Sequence, residues 1–400
     1  VFHQCQIIHT EKDVLTSDDA DLNMIAKPQS LLISLTKQMI IYSEQCQKIK
    51  ISDQQFEVAG FTFEITDIKI IQLDLSQTQS TTLKDTLQFA LNPAKSNFIF
   101  QYKFQQQTYP YLDGQGKGIA NIYFQAHVVS GFTLSNICPY HYQLQNFTST
   151  AKINSIQLQL PDSSPFIQAI INILTTAFKQ IFNEIISKVM SQVGDELNEN
   201  IYHDRPLTRI DDNFATDWRY ISYSLSELVQ CQTSGQICQF DLNTNICSRW
   251  TKRQKIDQQP TKLFNQPVQF YISQNAIQSM LDHAIYMKLI EDEMQVVGIV
   301  NTGILLNVAN AQFKAQILCA LEVKNVAYNY NNNNTQPVLQ MKKVVHFDNY
   351  FDSVEYFSKM NQLLEKCSHN LYTFGFIDTQ GQIINYNSPS WIIIALNMYK

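Results

Sequence analysis

The side chains with most chemistry to offer are eight histidines, eight cysteines and one cluster of glycines. A serine hydrolase would show a strained G-x-S-x-G elbow, which this chain lacks. His127 and His141 fall on strands or strand ends, His203 in a loop and His283 on a helix. No spacing brings two of them together as a zinc pair. In His346-Phe-Asp348 the titratable groups are neighbours along the chain, a juxtaposition that arises by chance more readily than as a dyad. Gly114-Gln-Gly116-Lys-Gly118 precedes a strand, whereas a phosphate-cradling loop opens a helix. It reads as a hairpin turn. The expectation is a chain with no catalytic residue, no metal and no cofactor.

The cysteines stand at 5, 46, 138, 231, 238, 247, 319 and 367, and none forms a C-x-x-C pair. Cys231, Cys238 and Cys247 share one polar loop, which predicts at least one local disulfide in an oxidising compartment. Cys319, within an apolar strand, reads as a small buried hydrophobe. The sequons Asn146-Phe-Thr148 and Asn333-Asn-Thr335 fit glycosylation of a secreted chain. The chain starts at Val1, and the reading is a secreted or secretory-lumen protein whose original N-terminus has been removed. No apolar run reaches the ~18 residues of a membrane span; the longest approach, Trp391 to Leu396, is strand-sized.

Composition supports a core, with 44% hydrophobic and 12% aromatic residues. Charged residues make up 16%, below the roughly 25% of ordinary soluble domains. Net charge is −6, whereas a chain that neutralises phosphates needs a basic stripe. The densest basic run, Arg249, Lys252, Arg253 and Lys255, lies in polar sequence and reads as a solvated loop. Nucleic acid is therefore not expected as a partner, nor is strong attraction to an anionic membrane. Transient membrane contact remains compatible, and the abundance of Gln, Asn and Tyr allows self-association.

The elements follow from periodicity. Pro28 suits a first helical turn, and Leu31, Leu35, Met39, Tyr42, Cys46 and Ile49 then recur at steps of three and four. From 56 to 160 the period is two: Phe61, Phe63 and Ile65; Leu87, Phe89 and Leu91; Phe98, Phe100, Tyr102 and Phe104; Ile156, Leu158 and Leu160. Asp67 and Lys69 break the parity and predict a bulge or strong twist. After Asp162-Ser-Ser-Pro165, a helix start, an apolar stripe runs from Phe166 to Leu197, roughly 50 Å of helix. An elongated barrel could bury such a helix end to end. The order then repeats in modified form. Val268, Phe270 and Ile272 form a strand, Ser273 caps a helix with Ile277, Leu281, Ala284, Ile285 and Leu289 on one face, and strands follow over 293–327 and 337–346 around an Asn-rich tip. A helix over 352–368 precedes two final strands flanking a turn at Thr379-Gln-Gly381.

With these elements placed, the chain resembles the bactericidal/permeability-increasing and lipopolysaccharide-binding protein family of the tubular lipid-binding superfamily. The resemblance rests on Ile153-Asn-Ser-Ile-Gln-Leu-Gln-Leu160, Met190-Ser-Gln-Val193, Arg205-Pro-Leu-Thr-Arg-Ile-Asp211 and Tyr220-Ile-Ser-Tyr-Ser-Leu225. The second half matches by order, from Val268 to the closing Asn397-Met-Tyr-Lys400. It implies an α+β fold: two tandem elongated barrels of twisted antiparallel sheet, each wrapped around a long helix, joined by a central sheet into a boomerang. It also implies an apolar tunnel in each barrel for phospholipid acyl chains. Two departures stand out. The family's disulfide would join Cys138 to a helix position that here is Gly194, so that bond is absent or rerouted. The family's cationic tip has no counterpart in this acidic chain.

The expected organisation is an N-terminal segment (1–27), a first barrel (28–204), a central crossing with the cysteine loop (205–262) and a second barrel (263–400). Lining candidates are Leu31, Leu35, Met39, Ile170, Leu174, Phe178 and Ile181 in the first barrel, and Ile277, Leu281, Ile285, Val354 and Phe357 in the second. Each buried methylene of an acyl chain contributes about 0.8 kcal/mol, so a tunnel needs no polar contact to bind tightly. The functional expectation is a non-catalytic lipid-binding protein that holds or transfers phospholipid or a similar ligand. A structural role with lipid-filled spacers, and recognition of microbial glycolipid, are the alternatives.

Overall fold

The computed structural model describes residues 5–7, 9–10, 14–33, 36, 51–58, 60–74, 77–83, 85–161, 175–176, 178–179, 182–183, 194–195, 198–199, 201–203, 206–212, 214–241, 243–244, 246–248, 253–260, 264–309, 314–329, 332–346, 353–368, 379–384 and 388–398. The chain forms two compact units that interleave along the sequence. One comprises 1–31, 132–143 and 198–400, the other 32–131 and 144–197. The architecture is sheet-rich with few helices.

The first unit begins with β1 (His9–Thr10) and β2 (Leu22–Ala26), after which residues 28–33 and 36 are helical. The chain then builds the second unit from β3 (Gln54–Val58), β4 (Phe61–Asp74), β5 (Thr78–Leu83), β6 (Thr86–Gln106) and all but the 132–143 ends of β7 (Asp113–Leu134) and β8 (Tyr142–Gln159). Its sheet runs β3-β4-β6-β7-β8, with β5 also paired to β6. One face is apolar and the other wet, as alternation requires of an antiparallel sheet.

Two devices keep the inner face continuous. At the predicted slip, Asp67 takes a positive φ and the β4–β6 register shifts between Thr66 and Lys69. In β6, expected as two strands, Leu87, Phe89 and Leu91 are buried at odd positions and Phe98, Phe100, Tyr102 and Phe104 at even ones. The parity changes where Leu91 and Ala94 face Ala126 and Phe124, three steps against two, so one bulge residue keeps the ends on the same face.

The glycine cluster is not a turn. Gly114, Gly116 and Gly118 lie within β7, opposite Phe104, Tyr102 and Phe100, and the turn is at 107–112. A Cβ at Gly118 would stand 2.2 Å from Phe100 Cζ, and one at Gly114 2.6 Å from Phe104 Cε1. The three aromatic rings of β6 lie across the bare backbone of β7. Gly118→Ala should therefore cost about 1–3 kcal/mol through overpacking, despite alanine's ordinary tolerance of strands. Thermal unfolding of the wild type and Gly118→Ala checks it, and an unchanged melting temperature would refute it.

The remainder of the first unit comprises β9 (Leu207–Arg209), β10 (Phe214–Asp217), β11 (Tyr220–Leu225), β12 (Val229–Thr233), β13 (Ile237–Asp241), β14 (Ile246–Ser248), β15 (Val268–Ser273), α1 (Gln274–Tyr286), β16 (Glu293–Val300), β17 (Gly303–Ala309), β18 (Lys314–Asn329), β19 (Asn332–His346), α2 (Ser353–Ser368), β20 (Thr379–Ile384) and β21 (Trp391–Met398). Three sheets result, in the orders β1-β14-β13-β10-β9, β11-β12-β2-β15-β21-β20 and β16-β17-β18-β19.

Here too the structure corrects the sequence reading. The three clustered cysteines sit on β12, β13 and β14, not in a loop; Cys238 bonds to Cys247, while Cys231 is a buried thiol. Cys138 bonds to Cys5, across 133 residues. Gly194 is instead the floor for Phe147, whose Cδ1 would lie 2.5 Å from a Cβ there. Thr379-Gln-Gly381 is part of β20, paired to β21, because its register to Leu396 continues the ladder. Leu289 falls beyond α1, which ends at Tyr286, and is exposed. Cys319 is buried, as an apolar strand position predicts.

Candidate apolar ligand site

In the second unit the inner face of the sheet converges on Phe178 and Phe182, which lie in helical turns. Phe178 meets Phe56 of β3 at 5.5 Å, Phe100 of β6 at 5.4 Å and Phe182 at 6.3 Å. Five residues on, Asn183 Oδ1 accepts a hydrogen bond from the Ile153 amide of β8 at 2.9 Å. Two residues only five apart in sequence thus touch both edge strands. A flat sheet would hold those strands about 19 Å apart, at four spacings of ~4.8 Å. The sheet is therefore strongly curled around an aromatic interior.

In the first unit an apolar cavity of about 70 Å³ lies between α1 and α2, against β2, β13, β15 and β19. Ala276 and Met280 of α1, Leu364 and Cys367 of α2, Leu339 and Ile237 supply its wall. It is about half the size of a cavity that accepts benzene, enough for the end of an alkyl chain.

Both helices are fixed by buried amides. Gln278 of α1 donates to Met294 O at 3.0 Å and accepts from Val296 N at 2.6 Å, beside the register shift between Val296 and Gly298. Asn361 of α2 accepts from Met341 N at 2.6 Å and donates to Met341 O at 3.3 Å, where β18 and β19 slip register. β16 and β19 are the edge strands of their sheet, and the outward backbone groups of an edge strand would be costly to bury unpaired. The helical amides satisfy them and dock the helices in the same act.

The start of α1 is held by Asp21. Ser273 caps the helix, accepting from Asn275 N and Ala276 N, while its hydroxyl donates to Asp21 Oδ1 at 2.6 Å. Gln236 Nε2 donates to Asp21 Oδ2 at 3.1 Å, and both Nη atoms of Arg253 reach the same carboxylate. Burial pushes the Asp21 carboxyl up to about 6, against the opposing pull of Arg253 and the three hydrogen-bonding partners. Between about pH 4 and pH 6 the folded chain then holds a proton that the unfolded chain has lost, so this group's contribution to stability falls as pH rises. The expected loss is about 3 kcal/mol across that window. Unfolding of the wild type and Asp21→Asn, compared at each pH, should show the difference; parallel profiles would refute it.

Of the residues expected to line a tunnel, Phe178 is buried at the centre of the aromatic cluster, and Leu31 is helical and half-buried. Ile277 and Leu281 are buried on α1 and Ile285 is half-buried, but the adjacent face, Ala276 and Met280, forms the cavity wall. That face has the i, i+4 spacing of a lining stripe and was legible as such. Val354 and Phe357 fall on α2, and their side chains lie outside the described residues. Leu35, Met39, Ile170, Leu174 and Ile181 lie outside them altogether. Asn146 is exposed on β8 and Asn333 lies on β19. Among the described residues, no group of three or more His, Cys, Asp or Glu could hold a metal ion, and no helix is long and apolar enough to cross a membrane.

No family model matches the chain, and no curated protein matches it. Among solved structures it is similar to lipopolysaccharide binding protein, with a TM-score of 0.49 and 10% identity over 95% of this chain and 99% of that one. It is also similar to Takeout 1 of Epiphyas postvittana, with a TM-score of 0.31 and 10% identity over 50% of this chain and 96% of that one.

Proposed function

We propose that the chain is a non-catalytic lipid-binding protein of the secretory lumen or extracellular space, with two barrels that each take acyl chains of phospholipid or a similar amphiphile. The observation that carries this reading is the cavity between α1 and α2, whose largely apolar wall is contributed by seven different elements. Sequence-remote residues have been brought together around a space that none of them fills. The curled aromatic interior of the other unit is the counterpart for the first barrel. Two disulfides fit an oxidising compartment, and the exposed sequon at Asn146 fits glycosylation there.

Native mass spectrometry of the protein purified from a secretory host tests this. The expected spectrum shows adducts of lipid mass that organic extraction removes. Met280→Trp, which fills the cavity wall, should reduce the adduct stoichiometry without unfolding the chain. Protein free of lipid in every preparation, and indifferent to added phospholipid, would sink the proposal. A second reading, barrels as spacers filled by their own side chains, is favoured by the close ring contacts around Phe178. It predicts adduct-free protein of full stability.

A further inference from the structure

The turn between β6 and β7 is out of keeping with the wet surface around it. Tyr109 is 84% exposed, Tyr111 63% and Leu112 41%, with Pro110 exposed between the two tyrosines. Such a run of apolar surface at a loop tip is unusual where nothing covers it. The two rings stand edge to face at 6.3 Å, so they form one patch. The turn is also well fixed. Gln106 N donates to Leu112 O at 2.7 Å, Tyr111 N to Thr108 O at 3.0 Å and Gln107 N to Gly60 O at 2.9 Å.

From Phe104 to Leu112 there is no charged residue, although Lys103 and Asp113 flank the segment. The apolar interior ends close by in sequence: Phe104, the last buried residue of β6, packs on Phe61 at 6.0 Å and Phe63 at 5.8 Å. The tip is thus uncharged and aromatic, at the terminus of a strand of 21 residues, about 70 Å long at ~3.3 Å per residue.

We infer that the 107–112 turn docks this unit on a zwitterionic lipid surface, with Tyr109, Tyr111 and Leu112 in the interfacial layer. Tyrosine presents an apolar ring and a polar hydroxyl, the combination that settles at a headgroup boundary. A neutral tip on a chain of net charge −6 is matched to an uncharged headgroup layer and gains nothing from anionic lipid. Docking deepens the proposed function by placing the apolar interior beside the source of its ligand, but it does not require that the ligand be bound.

The test is flotation of the full chain with phosphatidylcholine vesicles. The wild type should float, equally with and without added phosphatidylserine, and equally at about 0.5 M salt, where charge attraction is screened. Substituting Tyr109→Ser, Tyr111→Ser and Leu112→Ser together should lower partitioning by more than about tenfold, because the buried apolar area is lost. These side chains are exposed, so the melting temperature should not move. Thr108→Trp should raise partitioning and give blue-shifted fluorescence on vesicles. Equal flotation of the triple variant overturns the inference. So does binding that needs phosphatidylserine and vanishes in salt, or a tip that only converts a dimer to a monomer. Lipid adducts measured on the same preparations separate the two claims. Adducts without flotation remove docking alone, and tip-dependent flotation without adducts removes only the cargo.

Discussion

Shortening Phe178 to alanine is expected to remove about 3–5 kcal/mol of stability, the cost of deleting a buried aromatic ring. The ring is 1% exposed and touches aromatic partners from β3, β6 and its own helical segment. Those partners are themselves held by strand pairing and by the glycine floor of β7. The site therefore collapses poorly, which places the cost towards the upper end. Phe178→Leu, nearer in volume, should cost less than half as much. Guanidinium unfolding of the lipid-free proteins measures both. A loss below about 1 kcal/mol for the alanine variant would mean that the interior is fluid or already open there. The same variant separates carrier from spacer. If acyl chains run beside Phe178, part of the new void is filled by ligand, and added phospholipid should restore stability to the variant by more than it stabilises the wild type.

Removing the guanidinium of Arg219 should be comparably severe, and it should be undone by a second substitution. Arg219 is 2% exposed and Asp217 fully buried. Nε and Nη2 of the arginine both donate to the aspartate, at 3.0 and 2.9 Å to Oδ2, and the cation stands 5.3 Å from the Tyr140 ring. Breaking a buried pair by taking one partner leaves an uncompensated charge, worth about 3–5 kcal/mol. Arg219→Met and Asp217→Asn should each show it. The double variant should lose well under the sum of the two, because no unpaired charge remains. Strict additivity in urea unfolding would show that the residues act separately, each through its other contacts. Raising salt should leave the wild-type pair unaffected, since neither group is accessible to screening ions.

Much of the architecture was readable from residue order. The inward residues of β4 and β6, the Ser273 cap and the span of α2 follow from period two, period 3.6 and capping chemistry. Alternation also located the slip at Asp67, because a bulge is the only way a strand changes parity without leaving its sheet. The glycines of β7 were misread for a physical reason. Glycine signals a turn when considered alone, and only the facing Phe100, Tyr102 and Phe104 show that it is the absence of a side chain that is being used. On α1, Ile277 and Leu281 are buried, while the neighbouring Ala276 and Met280 border the cavity, a distinction that residue type alone does not make.

By itself, then, the sequence determined the elements that carry an apolar face and the cap that starts α1, both of them properties of neighbours within a few residues. Tertiary structure alone decided which elements meet. It joined Cys5 to Cys138 across 133 residues, gathered 1–31, 132–143 and 198–400 into one unit, and set Gln278 and Asn361 against the edge-strand backbone groups they satisfy. Periodicity is a local record of burial, whereas a cavity, a disulfide or a satisfied sheet edge is a relation between distant segments. Such relations are fixed only when packing and the pairing of every buried polar group are solved together.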